Sequence, residues 1–234
     1  MSIQVEFVGH ACFRLWLDGR PYLVTDPYKP EDLKLVDDGR QLEAEVVIVS
    51  SLTDDSHNNY GMVKGSPQVI NALDVAEGKA SAEVNGQPVI CIQASENEDR
   101  PDNPKDNACY AFNLDGVWFA HLGDLGYGLR AAELEPWRGH CDVLMAIVGE
   151  KFTLSLDELE PMMEILQPKV IFPMHYHLPP VGPLMARVEK FIERRKDRDP
   201  IIYVPHHTVT LSLTPVVEGR PNIVVLRNSG WESS

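Results

Sequence analysis

The sequence predicts an α/β protein, two mixed β-sheets packed face to face with helices outside, in an αββα sandwich. Two textures point to it. The first half is rich in hairpin signals, with the tight-turn pairs Asp18-Gly19, Asn85-Gly86 and Asp115-Gly116 between short apolar runs. From about residue 130 the pattern becomes strand and helix in alternation. Size is the third observation. The 234 residues contain no long polar linker, so one domain over residues 1–234 is expected, large enough to bury most of its apolar side chains.

In chain order, strands are expected over 3–8, 12–17 and 22–25, the last two joined by Asp18-Gly19. Residues 29–45 are polar, acidic and without periodicity, a surface loop before the buried strand 46–49. Short strands follow over 68–70, 82–84 and 89–92, and the Pro-, Asn- and Asp-rich stretch 96–106 reads as a loop on the rim of a site. Residues 109–114 and 117–120 form a second hairpin across Asp115-Gly116. Beyond it come a helix near 130–137, strand 143–148, helix 156–166, strand 170–172 and helix 184–196. Ser155 with Glu158 is a capping box for the middle helix, while Pro161 predicts a kink or a late start. Strands over 201–204, 208–213 and 223–226 close the chain.

Three buried strands end in loops of differing content. Strand 117–120 runs into His121-Leu122-Gly123-Asp124-Leu125-Gly126, and strand 170–172 into Pro173-Met174-His175-Tyr176-His177. Strand 46–49 runs instead into residues 50–59, where aspartates and one histidine stand among hydroxyls. Ligands in open α/β sheets bind beyond the carboxyl ends of strands, so these loops are expected to share one pocket. With Val8-Gly9-His10-Ala11, Thr25-Asp26-Pro27, Asp106-Asn107-Ala108-Cys109-Tyr110 and Asp142-Val143-Leu144, they resemble the metallo-β-lactamase superfamily. The resemblance covers nearly the whole chain. It lies in particular with the ascorbate-phosphate-lactonase-like, predicted zinc-dependent hydrolase branch, whose members carry His-x-His-x-Asp-His after the second buried strand.

The departure from that motif divides two metal positions. At the first, the resemblance places Ser51, Thr53 and Ser95 or Glu96 where the family has histidines. Hydroxyls are poor replacements for imidazole, so this position is expected to be lost. At the second, the corresponding residues are Asp55, Ser56 or His57, Asp124 and His175. The implied ligand set is Asp55, His57, Asp124 and His175, with Asp55 and Asp124 as the catalytic carboxylates of a metal-dependent hydrolysis. Whether His57 or Ser56 faces inward is open at this point. His10, His177 and Glu96 are the substrate-side candidates, His177 because extended chain would put it on the same face as His175. Glu96 as an oxygen ligand would favour manganese or magnesium over zinc. Asp26 is expected to support a ligand histidine from behind. His121 is read as a core histidine, and His206-His207 as a loop feature.

Composition excludes several classes. A net charge of −14 opposes a phosphate backbone, so no nucleic-acid partner is expected. No apolar run approaches the roughly 20 residues of a membrane span, and the N-terminus lacks a leader pattern, so the expectation is a cytoplasmic protein without a membrane partner. Cys12, Cys91, Cys109 and Cys141 are read as buried reduced thiols. Two functions stay open. One is hydrolysis of a small ester, lactone or phosphoester with one divalent metal, zinc or manganese, in a mononuclear site. The other is a catalytically inactive relative without a metal that binds a ligand or partner. The family also forms homo-oligomers, a state for which this sequence carries no signal of its own.

Overall fold

Period-two alternation of apolar residues leaves the first sheet two faces to bury. The computed structural model describes residues 2–31, 33, 39, 41–53, 56–96, 105–178 and 185–227. The N-terminal half supplies strands β1 (Ile3–Gly9), β2 (Cys12–Leu17), β3 (Arg20–Thr25), β4 (Leu42–Glu43), β5 (Val46–Val49), β6 (Val63–Lys64) and β7 (Gln68–Asn71). Helix α1 (Ala72–Ala76) leads to the hairpin of β8 (Glu83–Val84) and β9 (Gln87–Pro88). There follow β10 (Ile90–Ala94), β11 (Asn107–Leu114), β12 (Val117–His121), β13 (Val143–Ile147), α2 (Leu156–Leu166), β14 (Val170–Met174), α3 (Val188–Arg195), β15 (Ile201–Val204), β16 (Thr208–Thr210) and β17 (Asn222–Leu226).

Among the described residues, one sheet has the order β16-β1-β2-β3-β5-β7 and the other β10-β11-β12-β13-β14-β17-β15. Both are mixed, as expected. In the first sheet, Val5, Phe7, Leu23, Val46 and Ile48 face the core shared by the two sheets. Their neighbours Val8, Val24, Val47 and Val49 face outward, onto a smaller cluster closed by Tyr28, Leu42 and Met62. Ring contacts from Phe13 to Phe172 and from Phe7 to Tyr176 join the sheets across the shared core.

Strand direction decides where the loops emerge. β1 and β3 are both antiparallel to β2, and β5 is parallel to β3, so β1, β3 and β5 point the same way. β12, β13 and β14 are likewise parallel to one another. Backbone bonds between the end loops, His175 N–H to His10 O and Ala108 N–H to Ser50 O, hold the two sets of ends together.

Most expected strands stand within about two residues of their places, and the helices differ more. In place of a helix near 130–137 there are turns and a 3-10 turn at Glu135–Trp137. Pro136 has no amide to donate, and the buried Trp137 is anchored by its indole N–H to Ile90 O (3.0 Å). α2 does not start late: the Ser155–Glu158 capping box forms and the helix continues past Pro161. α3 begins at Val188, with Leu184 outside the described residues. Asp142 is structural, accepting from Trp118 N–H (2.9 Å) and Lys169 Nζ (2.7 Å).

Candidate metal centre

Three site residues occupy left-handed backbone at the ends of strands. His10 (φ 54) follows β1, Asp26 (φ 34) follows β3 and His175 (φ 53) follows β14. Such a conformation costs a non-glycine residue on the order of 1–3 kcal/mol, and it clusters where surrounding structure holds a functional side chain in place. Glycines accommodate the crowding. A Cβ on Gly123 (φ +61) would stand 2.6 Å from Asn107 Oδ1 and 2.8 Å from Ser50 Cβ, and one on Gly149 would run into the His175 carbonyl oxygen.

Asp26 is fully buried and accepts four hydrogen bonds. Its Oδ1 receives the Ser50 amide (2.8 Å) and the Tyr110 hydroxyl (3.0 Å), and its Oδ2 receives the Ser50 hydroxyl (2.8 Å) and His57 Nδ1–H (3.0 Å). Burial opposes its charge, but His121, His57 and the Ser50 bond outweigh burial and hold the carboxyl below its ordinary range. An ionised Asp26 fixes the proton of His57 on Nδ1 and leaves Nε2 as a lone pair. His121 is fixed otherwise: Gly123 N–H donates to its Nδ1 (3.0 Å), so Nε2–H donates to Ala11 O (2.8 Å). It stacks on Tyr110 and takes no part in the ligand cluster, in keeping with the core reading.

The bare Nε2 of His57 points into a group of convergent atoms. It lies 3.2 Å from His10 Nε2 and 3.6 Å from Asp124 Oδ2. Asp124 Oδ1 lies 3.1 Å from His175 Nε2, yet it has no aligned hydrogen-bond donor among the described residues. His10, His57 and His175 are all buried, each offering a ligand nitrogen within 4.8 Å of the others. Burial first, then the neighbouring histidines, pushes His10 well below the usual imidazole range. Burial raises Asp124, but its interactions with His175 and His57 outweigh burial and lower its carboxyl below the usual range. Imidazole nitrogens around a carboxylate whose Oδ1 has no aligned donor are a donor set suited to a divalent cation, and the residues therefore fit a metal.

The sequence-derived candidates divide accordingly. His57, Asp124 and His175 come together, and His57 rather than the half-buried Ser56 is the inward residue. Asp55 lies outside the described residues. Asp26 stands behind His57, on its Nδ1. At the first metal position, Ser51 and Thr53 bond to each other, Oγ to Oγ1 at 2.7 Å. Ser95 Oγ accepts from Lys105 N–H (3.2 Å), and half-buried Glu96 takes its amide to Asp106 Oδ1 (3.1 Å). His177 is outside the three-imidazole cluster, because the left-handed turn at His175 ends the extended geometry that alternation requires. One participant, Asn107, was not among the candidates, and His10 was a candidate for another role. His10, read from sequence as a substrate-side residue, joins the ligand cluster; the Gly9-His10 pair after a strand was the available signal. Asn107, whose Oδ1 accepts from the Asp124 amide (3.1 Å), was visible only as part of a motif.

Residues 4–175 match the family model of the β-lactamase superfamily domain. A protein of Pyrococcus furiosus named a metal-dependent hydrolase is 27% identical over 216 residues, covering 81% of this chain and 90% of its own. A Thermotoga maritima protein considered a zinc-dependent hydrolase of the metallo-β-lactamase superfamily superposes with a TM-score of 0.69 at 27% identity, over 96% of this chain and 98% of its own. Igni18, a metallo hydrolase of Ignicoccus hospitalis, shares the fold with a TM-score of 0.60 at 17% identity, covering 91% of this chain and 99% of its own. With that match across most of its length and the αββα arrangement of its sheets, the chain belongs to the metallo-β-lactamase superfamily.

Proposed function

We propose that this protein is a metal-dependent hydrolase of small esters, lactones or phosphoesters, working with one divalent metal held by His57, Asp124 and His175. The observation that carries this reading is the convergence of His57 Nε2, His175 Nε2 and the two oxygens of an ionised Asp124. The names of the Pyrococcus and Thermotoga relatives support its coarser part, a metal-dependent hydrolase. When bound, the metal supplies positive charge that lowers the pKa of water and polarises an ester or phosphoryl oxygen. Asp26 holds the His57 tautomer through Nδ1, and the buried His10 and His175 rings exclude water behind the site. Asp55 remains the proposed general base or further ligand.

The substrate proposed for the site is a small molecule. The charge of −14 argues against nucleic acid, and no helix among the described residues is long and apolar enough to cross a membrane. The Ser51–Thr53 pair at the first metal position favours a mononuclear site and also keeps the inactive, ligand-binding alternative in play. Elemental analysis of protein purified without chelator separates the two. About one metal per chain, with hydrolysis of nitrophenyl ester, nitrophenyl phosphate or lactone substrates abolished by EDTA and by Asp124→Ala, is the expected result. Protein that takes up no zinc, cobalt or manganese would rule out the hydrolase reading.

A further inference from the structure

Among the described residues, three of the buried polar atoms without a hydrogen-bond partner belong to the cluster of imidazoles and carboxylate. They are His10 Nδ1, Asp124 Oδ1 and His175 Nδ1. Buried polar atoms are normally satisfied, so such a gathering marks a site whose geometry answers to something other than internal hydrogen bonds. The separations are informative. Two ligands on one tetrahedral zinc, each about 2.0–2.1 Å from it, stand about 3.3 Å apart. His10 Nε2 to His57 Nε2 is 3.2 Å, His57 Nε2 to Asp124 Oδ2 is 3.6 Å, and Asp124 Oδ1 to His175 Nε2 is 3.1 Å. These three successive contacts are near the length of tetrahedron edges, with His57 and His175 approaching different oxygens of Asp124 and the three imidazoles within 4.8 Å of one another, and the chain of contacts begins at His10.

We infer that His10 is a metal ligand, making the centre a mononuclear site of three histidines and one aspartate: His10, His57, Asp124 and His175. This rests on the metal-dependent reading above and changes its chemistry. His10 comes from the turn between β1 and β2, away from the loop in which the superfamily motif lies, and its imidazole joins a site whose first position is closed by the Ser51–Thr53 pair. Three neutral imidazoles with one carboxylate select a borderline ion such as zinc or cobalt over the oxygen-preferring magnesium and manganese. Only His57 has a carboxylate behind it; His10 and His175 have no partner on Nδ1 among the described residues. Their rings are held by backbone and by mutual packing, with centroids 4.1 Å apart.

Cobalt(II) is the probe. Asn tolerates left-handed backbone, so His10→Asn removes the ligand with least strain on the turn. Wild-type protein should bind about one cobalt per chain with the intense visible absorption of a tetrahedral site. His10→Asn should weaken binding beyond the roughly 10–100-fold typical of losing an outer-shell partner, and should change the band shape. His140→Ala, at a half-buried ring remote from the site, should do neither. Unchanged stoichiometry, affinity and spectrum in His10→Asn would overturn the ligand assignment while leaving the metal-dependent reading standing; no cobalt uptake by the wild type would overturn both. A measurement on the wild type alone covers a variant that does not fold. Proton NMR of the cobalt protein should show three shifted, exchangeable imidazole N–H signals, one per ligand histidine, and two would overturn the assignment.

Discussion

Asp26 carries four donors on two oxygens inside the protein, so its removal does more than delete a charge. In Asp26→Ala the Ser50 amide and hydroxyl, the Tyr110 hydroxyl and His57 Nδ1 all lose their acceptor, and the tautomer of His57 is released. Breaking a buried charged network of this kind costs about 3–5 kcal/mol. Chemical denaturation of the variant should show a loss of that size, and a loss below about 1 kcal/mol would mean the network relaxes around the gap. Two histidines set a pH dependence. Burial foremost lowers His10 and His121 below the usual imidazole range, so the metal-free fold binds fewer protons at these two rings than the unfolded chain, which takes them up near 6.5. A lowered histidine costs nothing at high pH and destabilises progressively as pH falls below its unfolded value. Stability of the chelator-treated protein should therefore drop between pH 7 and pH 5, by up to about 1.4 kcal/mol per unit for each of the two. Denaturant midpoints at pH 5, 6 and 7 check the sign, which a flat or rising profile would reverse.

The elements act mainly as supports for strand-end loops. α2 is short and begins at a formed capping box, in which Ser155 Oγ accepts from the Glu158 amide (3.3 Å) and Glu158 Oε2 accepts from the Ser155 amide (2.8 Å). Ser155→Ala should cost about 1 kcal/mol in thermal or chemical unfolding and leave cobalt binding intact, since the cap lies outside the ligand cluster. Gly149 follows β13 at a place where the His175 carbonyl leaves no room for a side chain. Gly149→Ala should destabilise by about 1–3 kcal/mol and also weaken cobalt binding, because the strain falls on the turn that aims His175. Wild-type cobalt affinity in this variant would show that the turn yields without moving the imidazole.

At the scale of the molecule, one core joins both sheets and isolates the thiols. Cys12, Cys109 and Cys141 are buried and Cys91 half-buried, all as free cysteines. Burial pushes every one of the four thiols up, that of Cys91 to about 12. The thiolate is the reactive form, so native protein should react with a disulfide reagent slowly if at all at pH 8, and unfolded protein should release four equivalents. Rapid reaction of three or four thiols in the native state would show that the core opens far more readily than its packing implies.

The strands and the loops at their ends were legible in the sequence because they depend on local terms: period-two alternation, Asp-Gly and Asn-Gly turns, and the cap before α2. Helix ends were less legible, since the region near Trp137 is held by a long-range bond to Ile90 rather than by its own propensity. Asp124, His175 and Asp26 could be named from the family resemblance together with their places after buried strands. Only the tertiary structure decided that His57 turns inward in place of Ser56, that His177 is set aside, and that His10 meets His57 and His175. The direction of a side chain in an irregular loop follows from backbone angles, and here those angles are imposed by contacts between residues far apart in the chain, such as His175 N–H on His10 O and His57 on Asp26.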